Sequence, residues 1–280
     1  MSAVLFSTDD LLRVAHAFPA TPQIMAEIGR LLRDPHADLP DIAARLKRDS
    51  ALAARLMRIA NSAALAQSEP VASVEDAAAL IGFQEIHRLV GAVAVDQFAA
   101  APLKVYGFNG RRLRENALLV ALLMEELAAP AHEDPHAAYT IGLFRSLGKI
   151  AFEKLAEDTD CPARFDAAIF PDLIEWEHRA FGLSSNHATA VILRHWHFPH
   201  EIPQAIEEHY LASDHTHPLT HLLNLAAHMA DKLGYGLPGE STYWLNSEEV
   251  YRKSGVDQRA SKRFIDRAFI AFDRLSRAIS

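Results

Sequence analysis

The chain has 280 residues, of which 50% are hydrophobic, a formal net charge of −8 and a single cysteine. That is enough apolar material for one large or two modest domains, and the acidic balance argues against nucleic acid as the main partner. Cys161 alone excludes an intramolecular disulfide and a cysteine-based zinc cage.

Apolar residues recur at spacings of three and four along most of the chain. Strand-like alternation is nearly absent, so the sequence predicts an all-α fold. The first ten residues lack a basic stretch followed by an apolar run, and no window approaches ~20 apolar residues. The expectation is a cytoplasmic chain with no membrane partner. Thr21-Pro22 marks a helix start, with Thr as N-cap and Pro in the first turn, and Leu31-Leu32 closes that helix before Asp34-Pro35. A second helix is predicted over 40–47, with Ile42 and Leu46 four apart. A third covers 50–62, with Leu52, Leu56 and Ile59 on one face and Asn61-Ser62 as a polar end. Ser73 to Asp76 resembles a capping box with Asp in place of Glu, and Gly82 suits that helix's end. Residues 84–99 form another apolar helix. Pro102, Gly107, Asn109 and Gly110 make 100–110 the candidate linker between two helical subdomains, 1–108 and 109–280. Further helices are predicted at 111–129, 135–157, 171–181, 185–196, 199–211, 217–234 and 258–278. Phe264, Ile265, Phe269 and Phe272 in the last are read as core. A dimer interface is the alternative, which leaves the oligomeric state open.

The most informative stretch is Ile141 to Ile150. Read as one helix, it places Gly142, Arg145, Ser146 and Lys149 on a single face, while apolar residues cover most of the remainder. A helix apolar nearly all round is buried, and buried cations need anions, a ligand or a wet cleft. Fifteen histidines raise a metal hypothesis, with His209, His215, His217, His221 and His228 forming the densest group. The glutamate of a His-Glu-x-x-His motif is missing. Cys161 has no identifiable histidine partner, and phosphate-loop and dinucleotide motifs are absent. The basic clusters Lys47-Arg48 with Arg55 and Arg58, and Arg111-Arg112 with Arg114, read as solvated helix faces.

Taken together, the chain resembles the HDOD family, relatives of the HD-domain phosphohydrolases, over nearly its whole length. The N-terminal half carries Phe18-Pro-Ala-Thr-Pro22. It continues with Asp49-Ser-Ala-Leu-Ala-Ala-Arg-Leu-Met-Arg-Ile-Ala-Asn-Ser62, where the family pattern has Pro in place of Ser50, and with Ala78-Ala-Leu-Ile-Gly82. A catalytic HD protein reads close to G-L-[LF]-H-D-[IL]-G-K where this chain reads Gly142-Leu-Phe-Arg-Ser-Leu-Gly-Lys149. The His-Asp pair is thus replaced by Arg145-Ser146. Glu115 stands near the place of an upstream histidine, Ser185 and His187 near that of another, and His209-Tyr210 in place of a His-His pair. Asp231 matches the final aspartate. A guanidinium has no lone pair for a metal and a serine hydroxyl is a poor ligand. The resemblance therefore implies an HD-like helical bundle with a vestigial pocket of Glu115, Arg145, Ser146, Lys149, Ser185, His187, His209, Tyr210 and Asp231. It implies no catalytic residue, no metal and no cofactor. The implied role is regulatory output in bacterial signal transduction, through an unidentified signalling protein or a phosphate-containing small ligand. Two alternatives concern Arg145: with Lys149 it holds a phosphate or nucleotide, or it bridges Glu115 or Asp231 as an internal ion pair. A further alternative is a metal-dependent phosphohydrolase using His187, His209 and Asp231.

Overall fold

A computed structural model describes residues 5–61, 70–157, 159, 164–211, 213, 215–244 and 247–279. Regular structure among the described residues is helical, with one isolated antiparallel bridge between Leu103 and Phe108. The all-α expectation holds. Two compact units form: the residues through Phe18 with Phe98–Phe272, and Pro19–Gln97 with the chain end from Asp273. This differs from a division at 108/109, because both the N-terminal helix and the 98–108 segment group with the C-terminal helices.

The first helix, α1 (Thr8–Ala17), belongs to the larger unit and is capped by Ser7, which accepts from the Asp10 amide. Just before it, Phe6 N donates to Phe181 O at 2.9 Å, and the Phe6 ring stacks on Phe181 at 5.2 Å.

The smaller unit holds α2 (Thr21–Leu31), α3 (Leu39–Leu46), α4 (Ser50–Ala60), α5 (Val74–Ile81) and α6 (Phe83–Phe98). Side-chain caps explain the starts: Asp38, Asp49 and Ser73 accept from the amides of Asp41, Leu52 and Asp76. Thr21 is not the cap of α2, a position held by Ala20. Its hydroxyl instead lies 3.0 Å from both Asp49 Oδ2 and Gln97 Oε1. Gly82, at φ +82°, ends α5 in a backbone conformation that L side chains rarely adopt. Asn61 closes α4 by donating to Met57 O and Val71 O while accepting from Val71 N. The asparagine of the family motif thus ties the end of α4 to the segment that leads into α5; Ser62 lies outside the described residues. Ile28, Ala43, Leu46, Leu52 and Ile86 are fully buried in this unit.

The larger unit adds α7 (Gly110–Ala128), α8 (Pro135–Phe144), α9 (Leu147–Glu157), α10 (Leu173–Phe181), α11 (Ser185–His195), α12 (Glu201–Glu208), α13 (Pro218–Lys232), α14 (Ser247–Ser254) and, as far as Phe272, α15 (Ser261–Ile279). Helices α1 and α14 were not expected from spacing. Gly142 allows α8 to lie directly against α7, since a Cβ there would sit 2.6 Å from Ala121 Cα. The predicted helix over 135–157 is two helices, interrupted at Arg145-Ser146. Gly148 N leaves the helical ladder and donates to Thr189 Oγ1 on α11 at 2.8 Å. A Cβ on Gly148 would stand 2.0 Å from Ser185 O, so only glycine permits this approach.

The 100–110 segment is no linker. Val105 N donates to the buried Glu153 at 2.9 Å, Val105 O accepts from Phe165 N at 2.7 Å, and Tyr106 is buried. In the last helix Phe264 is buried, while Phe269 and Phe272 pack edge-on against Tyr235. No single helix among the described residues is long and apolar enough to cross a membrane.

Candidate functional site

The interruption between α8 and α9 sends two cations into the interior of the larger unit. Arg145 follows the last residue of α8, and Lys149 lies in the first turn of α9. Their side chains are 0% and 1% exposed. Burial at that depth demands compensation, and it is supplied from five other segments.

Arg145 Nη2 donates to Glu240 Oε2 at 2.8 Å and to Asn116 Oδ1 at 2.6 Å. Glu240 belongs to the loop after α13, and Asn116 to α7. Lys149 Nζ lies 3.3 Å from Glu240 Oε1 and 3.8 Å from Glu177 Oε1 on α10. It also donates to Ser185 Oγ at 3.1 Å and reaches Tyr210 Oη at 3.3 Å. Two phenols complete the network: Tyr210 donates to Glu240 at 2.7 Å and Tyr106 to Glu177 at 2.8 Å. The Ser185 amide donates to the other Glu177 oxygen at 2.7 Å. Trp244 lies under the Arg145 guanidinium, 5.8 Å from it. Two cations face two carboxylates, so the network balances its own charge.

The electrostatics follow from this geometry. Burial raises the Glu240 carboxyl, but Arg145 and Lys149 outweigh it and hold the pKa down to about 2. Burial lowers Arg145, and Glu240 more than restores it. Tyr106 and Tyr210 are pushed well up by burial and by the facing carboxylates, so both remain donors. The His209 ring packs tilted against Tyr210, with centroids 3.9 Å apart. Burial, then the charge of Arg145, holds its pKa down to about 3, so the ring stays neutral. Its Nδ1 lies 2.6 Å from Ile206 O and donates there, which leaves Nε2 as an acceptor. His209 Nε2, Arg145 Nε and Nη1, and Ser146 Oγ are buried without hydrogen-bond partners among the described residues.

Of the nine residues expected to share a pocket, five meet here: Arg145, Lys149, Ser185, His209 and Tyr210. Glu115 does not, because its carboxylate turns outward to Arg111 Nε at 2.7 Å. His187 pairs with Glu207 at 2.7 Å with a side chain 46% exposed. Asp231 is half-buried at the end of α13, with its carboxylate against the Gly236 backbone. Ser146 is buried beside the network with a free hydroxyl. The internal ion pair for Arg145 is therefore made, but with Glu240 rather than Glu115 or Asp231. The histidine group of 209–228 does not converge either: His217 caps α13 through Leu219 N, and His221 reaches Thr216. Cys161 lies outside the described residues.

The HD relationship implies a divalent metal here, and the residues present do not fit one. The central donors are a guanidinium and an ammonium, and the histidine beside them spends one nitrogen on a backbone carbonyl. Among the described residues, no group of three or more His, Cys, Asp or Glu side chains is placed to hold a metal ion.

Helices throughout, an interrupted helix at the core and a closed salt-bridge network at its break define an HD-type bundle with a second helical unit. The HDOD domain pattern matches residues 18–212, and the chain belongs to the HDOD family. No curated protein sequence matches the chain. Among solved structures it is similar to a candidate signal transduction protein from Marinobacter aquaeolei, with 21% identity and a TM-score of 0.69. The match covers 94% of this chain and 59% of that one. A candidate phosphohydrolase from Shewanella amazonensis gives 24% identity, a TM-score of 0.68 and coverage of 97% and 98%. An HDOD domain protein of unknown function from Geobacter sulfurreducens gives 20%, 0.66, and coverage of 97% and 96%. At these identities the likeness shows the shared fold.

Proposed function

We propose that this chain is a non-catalytic regulatory module, acting through binding to a protein or small ligand rather than through hydrolysis. The observation that carries this reading is the pairing of Arg145 and Lys149 with Glu240 and Glu177 where an HD hydrolase would hold its metal. A metal-assisted hydrolase needs lone pairs that fix the ion and an open position for water. Here the lone pairs of both carboxylates are engaged by cations, phenols and a backbone amide. The likeness to the Marinobacter signal transduction protein supports a signalling role, and membership of the HDOD family is consistent with it.

The alternative, a phosphohydrolase, takes its support from the Shewanella relative. It would require His187, His209 and Asp231 to converge, and His187 and Asp231 point elsewhere. The test is metal analysis of the freshly purified chain, together with a phosphodiesterase assay on bis(p-nitrophenyl) phosphate in added manganese. Substoichiometric metal and no turnover above buffer are expected. Stoichiometric metal with turnover lost in His209→Ala would overturn the proposal.

A further inference from the structure

Outside the buried network, the larger unit carries an open groove of about 580 Å³ lined by the 102–109 turn, Arg112 and Arg164. Three of its lining residues, Lys104, Arg112 and Arg164, are cationic and exposed. None of the three has a carboxylate partner among the described residues. Arg112 spends Nε and Nη2 on a neutral acceptor, Gly236 O, at 2.9 and 2.7 Å. The Arg164 guanidinium lies over Gly107, where a Cβ would meet its Nε and Nη2 at 2.9 Å. Gly107 has φ +73° and carries no side chain to fill that space. In a chain of net charge −8, most other surface arginines find acids, as Arg13, Arg48, Arg179 and Arg194 do. Three unpaired cations around one concavity repel each other and focus a positive potential there.

Phe108, half-buried, also lines the groove beside these cations. Guanidinium groups suit phosphate oxygens, and an aromatic ring lining a groove offers a stacking face to a base. We infer that this groove binds a nucleotide, with its phosphates on Lys104, Arg112 and Arg164 and its base against Phe108. A phosphate ligand of the regulatory module thus sits at the surface, and the self-balanced Arg145 network does not receive it. The groove also touches that network through the chain: Tyr106, next to Gly107, donates to Glu177, and the Gly236 that Arg112 holds precedes Glu240 in the same loop. A ligand drawing Arg112 off Gly236 acts on the loop that carries Glu240.

The inference rests on the regulatory reading for its role, while binding itself is measured separately. The full chain is titrated calorimetrically with ATP and with inorganic triphosphate, without metal, at low and at physiological salt. Saturable 1:1 binding is expected, weakening with salt. Lys104→Glu and Arg164→Glu, both at exposed positions, should each weaken both probes by about tenfold or more. Phe108→Ala should reduce ATP binding to the triphosphate level. No saturable binding up to about 1 mM, or binding unchanged in the Lys104→Glu/Arg164→Glu double variant, would overturn the site. Equal affinity for the two probes, unmoved by Phe108→Ala, would overturn the nucleotide assignment. Phosphate release in a parallel assay with added manganese would count against the non-catalytic reading alone.

Discussion

Replacing Arg145 by Met removes a cation from a network that has two of each sign. Glu240 then keeps Lys149, 3.3 Å away, and the Tyr210 hydroxyl at 2.7 Å, while Asn116 Oδ1 loses its donor. Breaking a buried pair by deleting one partner typically costs about 3–5 kcal/mol, because the remaining charge stays buried. Lys149 still faces Glu240, so the loss should fall near the lower end, about 3 kcal/mol. Neutralising the stranded partner reverses the logic. In Arg145→Met/Glu240→Gln, Lys149 and Glu177 remain as a balanced pair, 3.8 Å apart. The double variant should regain about 2 kcal/mol or more relative to additivity. Urea unfolding followed by tryptophan fluorescence reads this directly, because Trp176, Trp196 and Trp244 all belong to the larger unit. An Arg145→Met curve that overlays the parent, or strictly additive single variants, would refute the ion-pair argument.

Three other outcomes follow from the same structure. His209 is held near pKa 3 against 6.5 when unfolded, so the unfolded chain binds the extra proton as pH falls. Stability should drop below pH 6.5 at up to about 1.4 kcal/mol per pH unit from this group. Glu240, depressed from 4.5 to about 2, adds a second loss below pH 4.5. His209→Asn, which keeps a donor for Ile206 O, should flatten the slope between about pH 6 and pH 5; an unchanged slope would show that another group sets it. Gly148→Ala should cost about 1–3 kcal/mol, since its Cβ would meet Ser185 O, and equal thermal midpoints for parent and variant would contradict that close approach. Alanine at Glu115 or His187 should change stability by no more than about 0.5 kcal/mol, and a larger loss at either position would place that residue back in the interior.

Helix ends were legible where a side chain writes them: Ser73 and Gly82 bound α5 as the sequence suggests. The burial of Arg145 and Lys149 was legible too, because apolar residues cover most of the rest of their segment. The break between them was not. The spacing of 142, 145, 146 and 149 runs through it undisturbed, and the bonds that mark the break, Gly148 N to Thr189 Oγ1, 41 residues away, and Lys149 N to Ser146 O, leave no mark on that spacing. Glu177 did leave a trace. Leu173, Trp176, Ala180 and Phe181 are buried on one face of α10, and Glu177 lies on that same face. A carboxylate on an apolar stripe is as informative as a cation on one. Glu240 left none, since a loop residue has no periodic neighbours to mark it as interior. The 100–110 segment misled for the opposite reason: its Gly and Pro residues signal a turn, and a turn can be anchored as firmly as a helix.

The network also bears on how the chain could change by mutation. Restoring His-Asp at 145–146 would withdraw a buried cation while Glu240 and Glu177 stayed in place. A new aspartate would then bring a third carboxylate toward a site with one lysine left. A metal site at the break would therefore need coordinated replacement at 145, 146 and 240 at least. On the proposed regulatory reading, the internal salt bridges act as a ratchet: Arg145, where the HD pattern has its histidine, is part of what holds the fold together.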